Sequence, residues 1–462
     1  MTTPIPVPPY VPLLTHAVQI DTDTPVKTFK AWFDTYGDIF KIYLFNKTSI
    51  WVSSAALCAE LSNDQKFSKS IGGALVEIRA LVDDGLFTAW KEEPNWGIAH
   101  RLLTPSFKMT EVKSMFPDMM DIATQLILKW ERFGPDYRLN PTEDFTRLTL
   151  DTITLCSMSF RLNSFYRDDN HPFVQAMYDF LTECGRRIRR PAISDYVFPA
   201  NYNKWQGDIT YMNNLAQSIL DKRRQRPIDK QDLLNVMLNN KDPKTGKNMT
   251  DESIINNLIT FLIAGHETTS GLLSFCVYYL IKNPETMRKA QAEVDDVLSD
   301  QQLQPEDLSK FPYLTATLRE TLRLGPTIAV RQVEANEDTT IGNGKYFIKK
   351  GQRVVIHLAG VHRDKAVWGE DADEFKPERM LDGKFEALPL GAWQPFGFGS
   401  RVCIGRPFAM QEATMALAMI LQKFTFELAD PDYELEIMQT LTVKPKNFFI
   451  HAIPRGEVYT TA

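Results

Sequence analysis

Residues 396–405 read FGFGSRVCIG and place Cys403 in a glycine-rich turn, two residues after Arg401. A thiolate that binds a metal needs its charge softened by nearby donors, and glycines let backbone N–H groups approach sulfur with no side chain in the way. Gly397, Gly399 and Gly405 offer that freedom. Arg401 is a fixed cation suited to the anionic edge of a cofactor, and Phe396 is an apolar plate beside the sulfur. A lone cysteine in a turn is usually a small buried hydrophobe. The spacing F-x-x-G-x-R-x-C-x-G instead suits a thiolate that ligates haem iron.

A second stretch is AGHETTS, residues 264–270, inside an otherwise apolar helical run. Gly265 costs roughly 1 kcal/mol of helix propensity relative to Ala, and Glu267 and Thr268 put a carboxylate and a hydroxyl beside it. Such concessions fit a helix that opens locally to receive a flat ligand and O₂ along Ala264–Gly265. Further on, Glu320 and Arg323 are three apart and share one helix face. Leu318, Leu322 and Leu324 around them predict burial, so the pair needs more partners, which 375–379 (FKPER) can supply through Arg379. Trp96 and His100 lie in NWGIAHRLLTPSF, and Lys69 is a further cation upstream.

In this order the motifs resemble the cytochrome P450 superfamily. The resemblance implies a mainly α fold with small β-sheets, one haem domain over 1–462, and haem b between a long distal helix and a proximal cysteine loop. Cys403 is then the axial iron ligand. Phe396, Arg401, Trp96, His100, Lys69, Leu86, Ala264, Gly265 and Gly405 are expected at the cofactor, with Trp96 and His100 donating to propionate. Thr268 is expected to hydrogen-bond O₂ at the iron, Glu267 to pass protons, and Glu320, Arg323 and Arg379 to form the ion network behind the thiolate loop.

Longer stretches, among them DDGLFTAW (83–90), TRLTLDTITLC (146–156), NSFYRDDNHPF (163–173) and HRDKAVWG (362–369), are similar to the haem domain of self-sufficient fatty-acid hydroxylases, which is fused to a diflavin reductase. That likeness implies Phe87 over the haem, and Leu75, Val82, Leu181, Ile263, Ala264 and Leu441 along a substrate channel. Lys47 and Trp51 stand where the relatives often have Arg and Tyr for a fatty-acid carboxylate. Gly325 and Arg331 in LGPTIAVRQ also depart from the pattern; Ile328 is expected to narrow the pocket and Arg331 to reach a propionate or a polar substrate.

The expected activity is monooxygenation of medium- or long-chain fatty acids or similar alkyl substrates, using O₂ and electrons from an NADPH-dependent diflavin reductase. FMN, FAD and NADPH would enter only through that reductase, separate or removed, since the chain ends at residue 462. The alternatives are a peroxide-driven peroxygenase, against which Glu267–Thr268 argue, and a non-enzymatic haem sensor.

The elements that must hold these groups read as helices from about 96 to 330, including Ser253–Leu280 behind a start at Thr250, and Phe408–Phe424 after the cysteine loop. Ile39–Phe45 and Ser49–Ser53 read as a hairpin around Asn46–Lys47, with strands again at Gly344–Ile348, Val354–Leu358 and in Thr440–Pro454. The composition, 44% hydrophobic and 24% charged, is that of a globular protein. A net charge of −6 without a basic tract disfavours nucleic acid, and 186–190 (RRIRR) reads as a solvated helix end. The five cysteines form no C-x-x-C pair, and the Pro-rich segment of about residues 1–20 is too broken for a signal or transmembrane helix. A cytoplasmic protein without a membrane span is the expectation.

Overall fold

The computed structural model describes residues 2–45, 47–190, 195 and 198–456. Its centre is the helix Asp251–Lys282, and the sequence dictates where that helix begins. The Thr250 side chain accepts the Ser253 N–H at 3.2 Å, and Asp251 and Glu252 sit on the first turn, where the helix dipole favours acid. The helix is apolar on most sides because it is buried on most sides. Its main neighbour is helix Pro141–Met158, also buried over almost its whole length. Several hydroxyls of that second helix bond within it: Thr146, Thr149 and Thr154 each donate to the carbonyl four residues earlier.

Among the described residues eleven strands, β1 to β11, accompany this helical body. β1 (Ile39–Leu44) pairs antiparallel with β2 (Lys47–Val52), from Ile39 opposite Val52 to Leu44 opposite Lys47. Together with β3 (Phe67–Lys69), β4 (Val330–Ala335) and β7 (Arg353–His357) they form a five-stranded sheet ordered β1-β2-β7-β4-β3. Three two-stranded pairs complete the set: β5 (Thr339–Ile341) with β6 (Tyr346–Ile348), β8 (Phe424–Leu428) with β11 (Ile450–Pro454), and β9 (Glu436–Gln439) with β10 (Val443–Lys446).

The mainly α fold agrees with the expectation, with some shifted boundaries. The distal helix runs two residues further at each end than read, and the helix after the cysteine is Arg406–Lys423. Lys47 belongs to β2 rather than to the turn, and Asn46 lies outside the described residues. Helices Pro25–Tyr36, Ala55–Glu60 and Ala74–Val82 and strands β3, β4, β5, β8 and β9 were not anticipated. No described helix is long and apolar enough to cross a membrane.

The Glu320–Arg323 pair sits on helix Pro312–Leu324, and both side chains are fully buried. Arg323 makes a bidentate contact with Glu320, 2.8 Å at each arm, and gives its remaining N–H groups to the carbonyls of His362, Ala372 and Glu374. Every donor therefore has a partner, which is what a buried guanidinium requires. Arg379 joins less directly than expected: its Nε lies 3.8 Å from Glu320, and its main partners are Asp371 at 2.7 Å and the carbonyls of Trp368 and Asp371.

Glu320→Ala leaves Arg323 buried without its counter-charge and is expected to cost about 3–5 kcal/mol. Asp371→Ala, which removes a part-exposed partner of Arg379, is expected to cost far less. Urea unfolding followed by circular dichroism separates the two; equal losses would show that the buried pair is not the anchor.

Candidate active site

The cysteine loop is tied down before it reaches the sulfur. The Gln394 N–H donates to His362 Nε2 at 3.1 Å, and the Trp393 indole donates to the Arg319 carbonyl at 3.0 Å, so helix Pro312–Leu324 and the segment around His362 hold the loop from behind. Burial pushes His362 down to about 3, leaving it neutral and able to accept. The Cys403 N–H then closes the turn onto the Phe396 carbonyl at 2.9 Å.

Gly399 serves a purpose other than access to sulfur. It has φ +71°, and a Cβ there would lie 2.2 Å from Asp64 Oδ1, whose carboxylate accepts the Ser400 N–H at 2.7 Å. The amides that reach the sulfur belong to Gly405 and Arg406. Cys403 opens into an internal cavity but lies deep in the molecule. Burial pushes its thiol up, while those two amides and the charges of Lys69 and Arg406 act in the opposite direction.

One edge of the cavity collects donors without acids. Arg401 lies 4.4 Å over the Trp96 ring, Trp96 stacks on His100 at 4.7 Å, and Lys69 Nζ donates to the Phe87 carbonyl at 2.6 Å. Arg401 also donates to the Ala89 carbonyl, yet its Nη1 is buried with no partner. Among the described residues none of these cations forms an ion pair. Burial, then Arg401, pulls Lys69 down to about 7, and the same causes lower His100. Carboxylates placed here would satisfy the orphaned donor and restore the lysine's charge.

Across the cavity stands the distal helix. Thr268 donates to the Ala264 carbonyl at 2.9 Å, a bond within its own helix, which runs unbroken through 264–270. Glu267 is buried, and both of its oxygens are engaged from β10 and the turn before it. Lys444 Nζ lies 2.8 Å from Oε1, and the Thr442 hydroxyl donates to Oε2. Burial alone would raise its pKa; the Lys444 charge, His266 and these hydrogen bonds prevail and bring it to about 2. Gly265 lines the cavity, but a Cβ on it would meet Ile153 at 2.6 Å, so its missing side chain admits the neighbouring helix rather than a ligand.

Phe87, Leu86, Val82, Leu181, Ile263, Ala264, Ile328 and Leu441 all line the cavity. Three expected substrate residues do not. Trp51 is buried in the sheet, stacked on Phe29 at 3.6 Å with its indole donating to Ser49 at 3.1 Å. Lys47 is exposed at the start of β2. Leu75 shares a face of helix Ala74–Val82 with the lining residues Ile78 and Val82 but sits a turn away, in the core. Arg331 also points elsewhere, to the Ser62 hydroxyl at 3.0 Å and towards Cys58. Gly325 is explained by Phe275, whose ring would lie 2.9 Å from a Cβ there. The sequence reading missed Thr260, Thr327, Thr442 and Lys444; the last two sit in a strand-like run with no motif to mark them.

A cysteine sulfur facing a threonine across an apolar cavity, with a cationic edge, has a counterpart in known proteins. Residues 5–452 match the family model of cytochrome P450. The chain belongs to the cytochrome P450 family. It is 58% identical, over 98% of its length, to a self-sufficient cytochrome P450 monooxygenase of Phanerodontia chrysosporium, covering 43% of that protein. It is 49% identical to a bifunctional cytochrome P450/NADPH–P450 reductase of Aspergillus oryzae, over 98% of this chain and 42% of the relative. A bifunctional enzyme of the same description from Fusarium oxysporum is 48% identical over 98% of this chain and 43% of its own length. The chain thus spans less than half the length of these relatives.

For a cytochrome P450 the residues present fit haem. Cys403 would hold the iron, and Arg401, Lys69, Trp96 and His100 would take the propionates. Cys403→Ser should abolish the thiolate-type spectrum of the reduced carbon-monoxide complex; an unchanged spectrum would remove Cys403 as ligand. Lys69→Met should raise the rate of haem loss to apomyoglobin severalfold, since it deletes a buried cation that would pair with a propionate.

Proposed function

We propose that this cytochrome P450 is a monooxygenase domain that hydroxylates medium- or long-chain fatty acids or related alkyl compounds, with electrons from an NADPH-dependent diflavin reductase. The observation that carries the proposal is that Cys403 and the Glu267–Thr268 pair line one largely apolar cavity. The fused reductases of the relatives support the electron source.

Bound haem, with a thiolate behind it, supplies O₂ activation and oxygen insertion into a C–H bond. What the protein adds is position, dryness and protons. Phe87, Val82, Leu181, Ile263, Ile328 and Leu441 exclude water and hold an alkyl chain by its surface alone, so the carbon presented depends on side-chain volume. Thr268 offers a hydroxyl that can leave its helix carbonyl for a stronger acceptor. Glu267 stands next to it in the chain, with a carboxylate already desolvated.

The cations that line the cavity, Lys69, His100 and Arg401, all gather at the cofactor edge. At the substrate end the polar side chains include Thr260 and Thr442, whose hydroxyls are bonded to the Asn256 carbonyl at 2.7 Å and to the Glu267 carboxylate. An acid head group is therefore not clamped inside, and alkyl length and shape govern fit more than charge.

The deciding experiment supplies the haem-loaded chain with a diflavin reductase, NADPH and dodecanoic acid, against hydrogen peroxide alone. Hydroxylated product should require the reductase; turnover by peroxide alone at a similar rate would favour a peroxygenase. Thr268→Ala should lower product formed per NADPH by about tenfold or more. Ile328→Ala should shift the position of hydroxylation, whereas Lys47→Ala should weaken dodecanoic acid and dodecanol equally.

A further inference from the structure

Lys444 lies 177 residues from Glu267 in the chain, and its ammonium is buried against that carboxylate at 2.8 Å. A buried lysine is costly, and its removal from water is balanced only by the partners it finds. It finds two: Glu267, and the Thr146 hydroxyl at 3.3 Å on helix Pro141–Met158. The second carboxylate oxygen takes the hydroxyl of Thr442, two residues before Lys444.

The approach is shaped by the backbone as well. Gly271 stands one helical turn after Glu267. A Cβ there would lie 2.9 Å from Thr327 Cγ2, 3.2 Å from the Val443 carbonyl oxygen and 3.4 Å from Lys444 Cγ. The missing side chain is the slot through which β10 lies on the distal helix, and the Val443 N–H is fixed from the other side by the Thr327 carbonyl at 2.9 Å. His266 cannot replace the lysine. Its Nε2 is 4.0 Å from Glu267 and has no partner, and burial takes the ring down to about 4, so it is neutral.

We infer that Lys444 is a positioning residue for proton delivery: it holds the Glu267 carboxylate onto the C-terminal hairpin and couples it to the turn whose Leu441 and Thr442 face the substrate space. Thr442 is part of both the cavity wall and the carboxylate's hydrogen-bond shell. A substrate that moves Leu441 or Thr442 therefore acts on the segment that carries Lys444, and the strength of the ion pair responds to occupancy. With the pair intact Glu267 is kept as a carboxylate; with it loosened, the buried carboxyl gains a proton and can donate towards Thr268. The proton balance is simple: one proton enters Glu267 from solvent and the same proton leaves through its oxygen.

This rests on the monooxygenase reading, but its first test does not. Infrared difference spectra of the haem-loaded protein at neutral pH, with Glu267→Gln as the assignment control, should show no protonated-carboxyl band from Glu267 in the wild type. Lys444→Met should show one, and Lys444→Arg should remove it again. Gly271→Val, which keeps both charges but lifts the hairpin off the helix, should behave like Lys444→Met and covers the case in which Lys444→Met does not fold. With the reductase and dodecanoic acid, Lys444→Met should lower product per NADPH at least about threefold with KM little changed, and Lys444→Arg should recover it. Absence of the band in both Lys444→Met and Gly271→Val, or wild-type coupling in both, overturns the inference. Should the wild type itself give no product, the monooxygenase reading falls, and the infrared comparison alone decides the role of Lys444.

Discussion

Everything on the proximal side depends on one fully buried ion pair. Glu320 and Arg323 cannot be solvated, so the segments that surround them must present carbonyls in fixed places, and those of His362, Ala372 and Glu374 do so. Because His362 is one of them, its ring is held where Nε2 meets the Gln394 N–H, and the loop to Cys403 inherits that position. A hydrophobic replacement of similar volume could match the pair in stability. It could not specify which backbone carbonyls converge, and the loop geometry follows from that convergence.

The distal side follows another logic. Helix Asp251–Lys282 has to be core on most of its surface and cavity wall on the rest, and its small residues divide the two tasks. Gly265 admits Ile153 of the neighbouring helix, and Gly271 admits β10. Side chains that carry chemistry stand between these close contacts. Glu267 faces the hairpin and Thr268 opens onto the cavity, on adjacent residues that a helix turns by about 100° from one another. Proton-handling groups thus sit on a rigid element, while the chain that touches substrate is a short turn, residues 441–442, between two short strands.

Much of the site was legible because its residues act through local spacing. The cysteine turn, the acid–alcohol pair and the Glu320–Arg323 face each declare themselves within a few positions, and the structure brings Cys403, Phe396, Arg401, Thr268 and Phe87 to one cavity. Partners distant in the chain were not legible. Lys444 and His362 gain their meaning only from what folds against them, and Trp51, read as a channel residue by alignment to a tyrosine, is drawn into the sheet by stacking on Phe29. Gly325 departs from the relatives' pattern in sequence, while in space the Phe275 ring of the neighbouring helix occupies the room a side chain there would need. The fold was read correctly in the long helices and the first hairpin. It was missed in helices Pro25–Tyr36, Ala55–Glu60 and Ala74–Val82 and in strands β3, β4, β5, β8 and β9, most of which are short.

The charges of the cavity are arranged in opposition. Lys69, His100 and Arg401 crowd one edge without acids of their own, so binding of a dianionic cofactor relieves a repulsion as well as forming new bonds. On the distal face Glu267 is already paired, and on helix Arg406–Lys423 burial pushes Glu412 well above the usual carboxyl range, with the Thr152 hydroxyl acting in the opposite direction. Unpaired charge is therefore confined to the place where a cofactor would cancel it. The substrate end is left without any, and a chain that enters it is selected by its shape. That same neutrality lets the Lys444–Glu267 pair dominate the electrostatics beside Thr268, because no closer charge competes with it in a medium of low polarity.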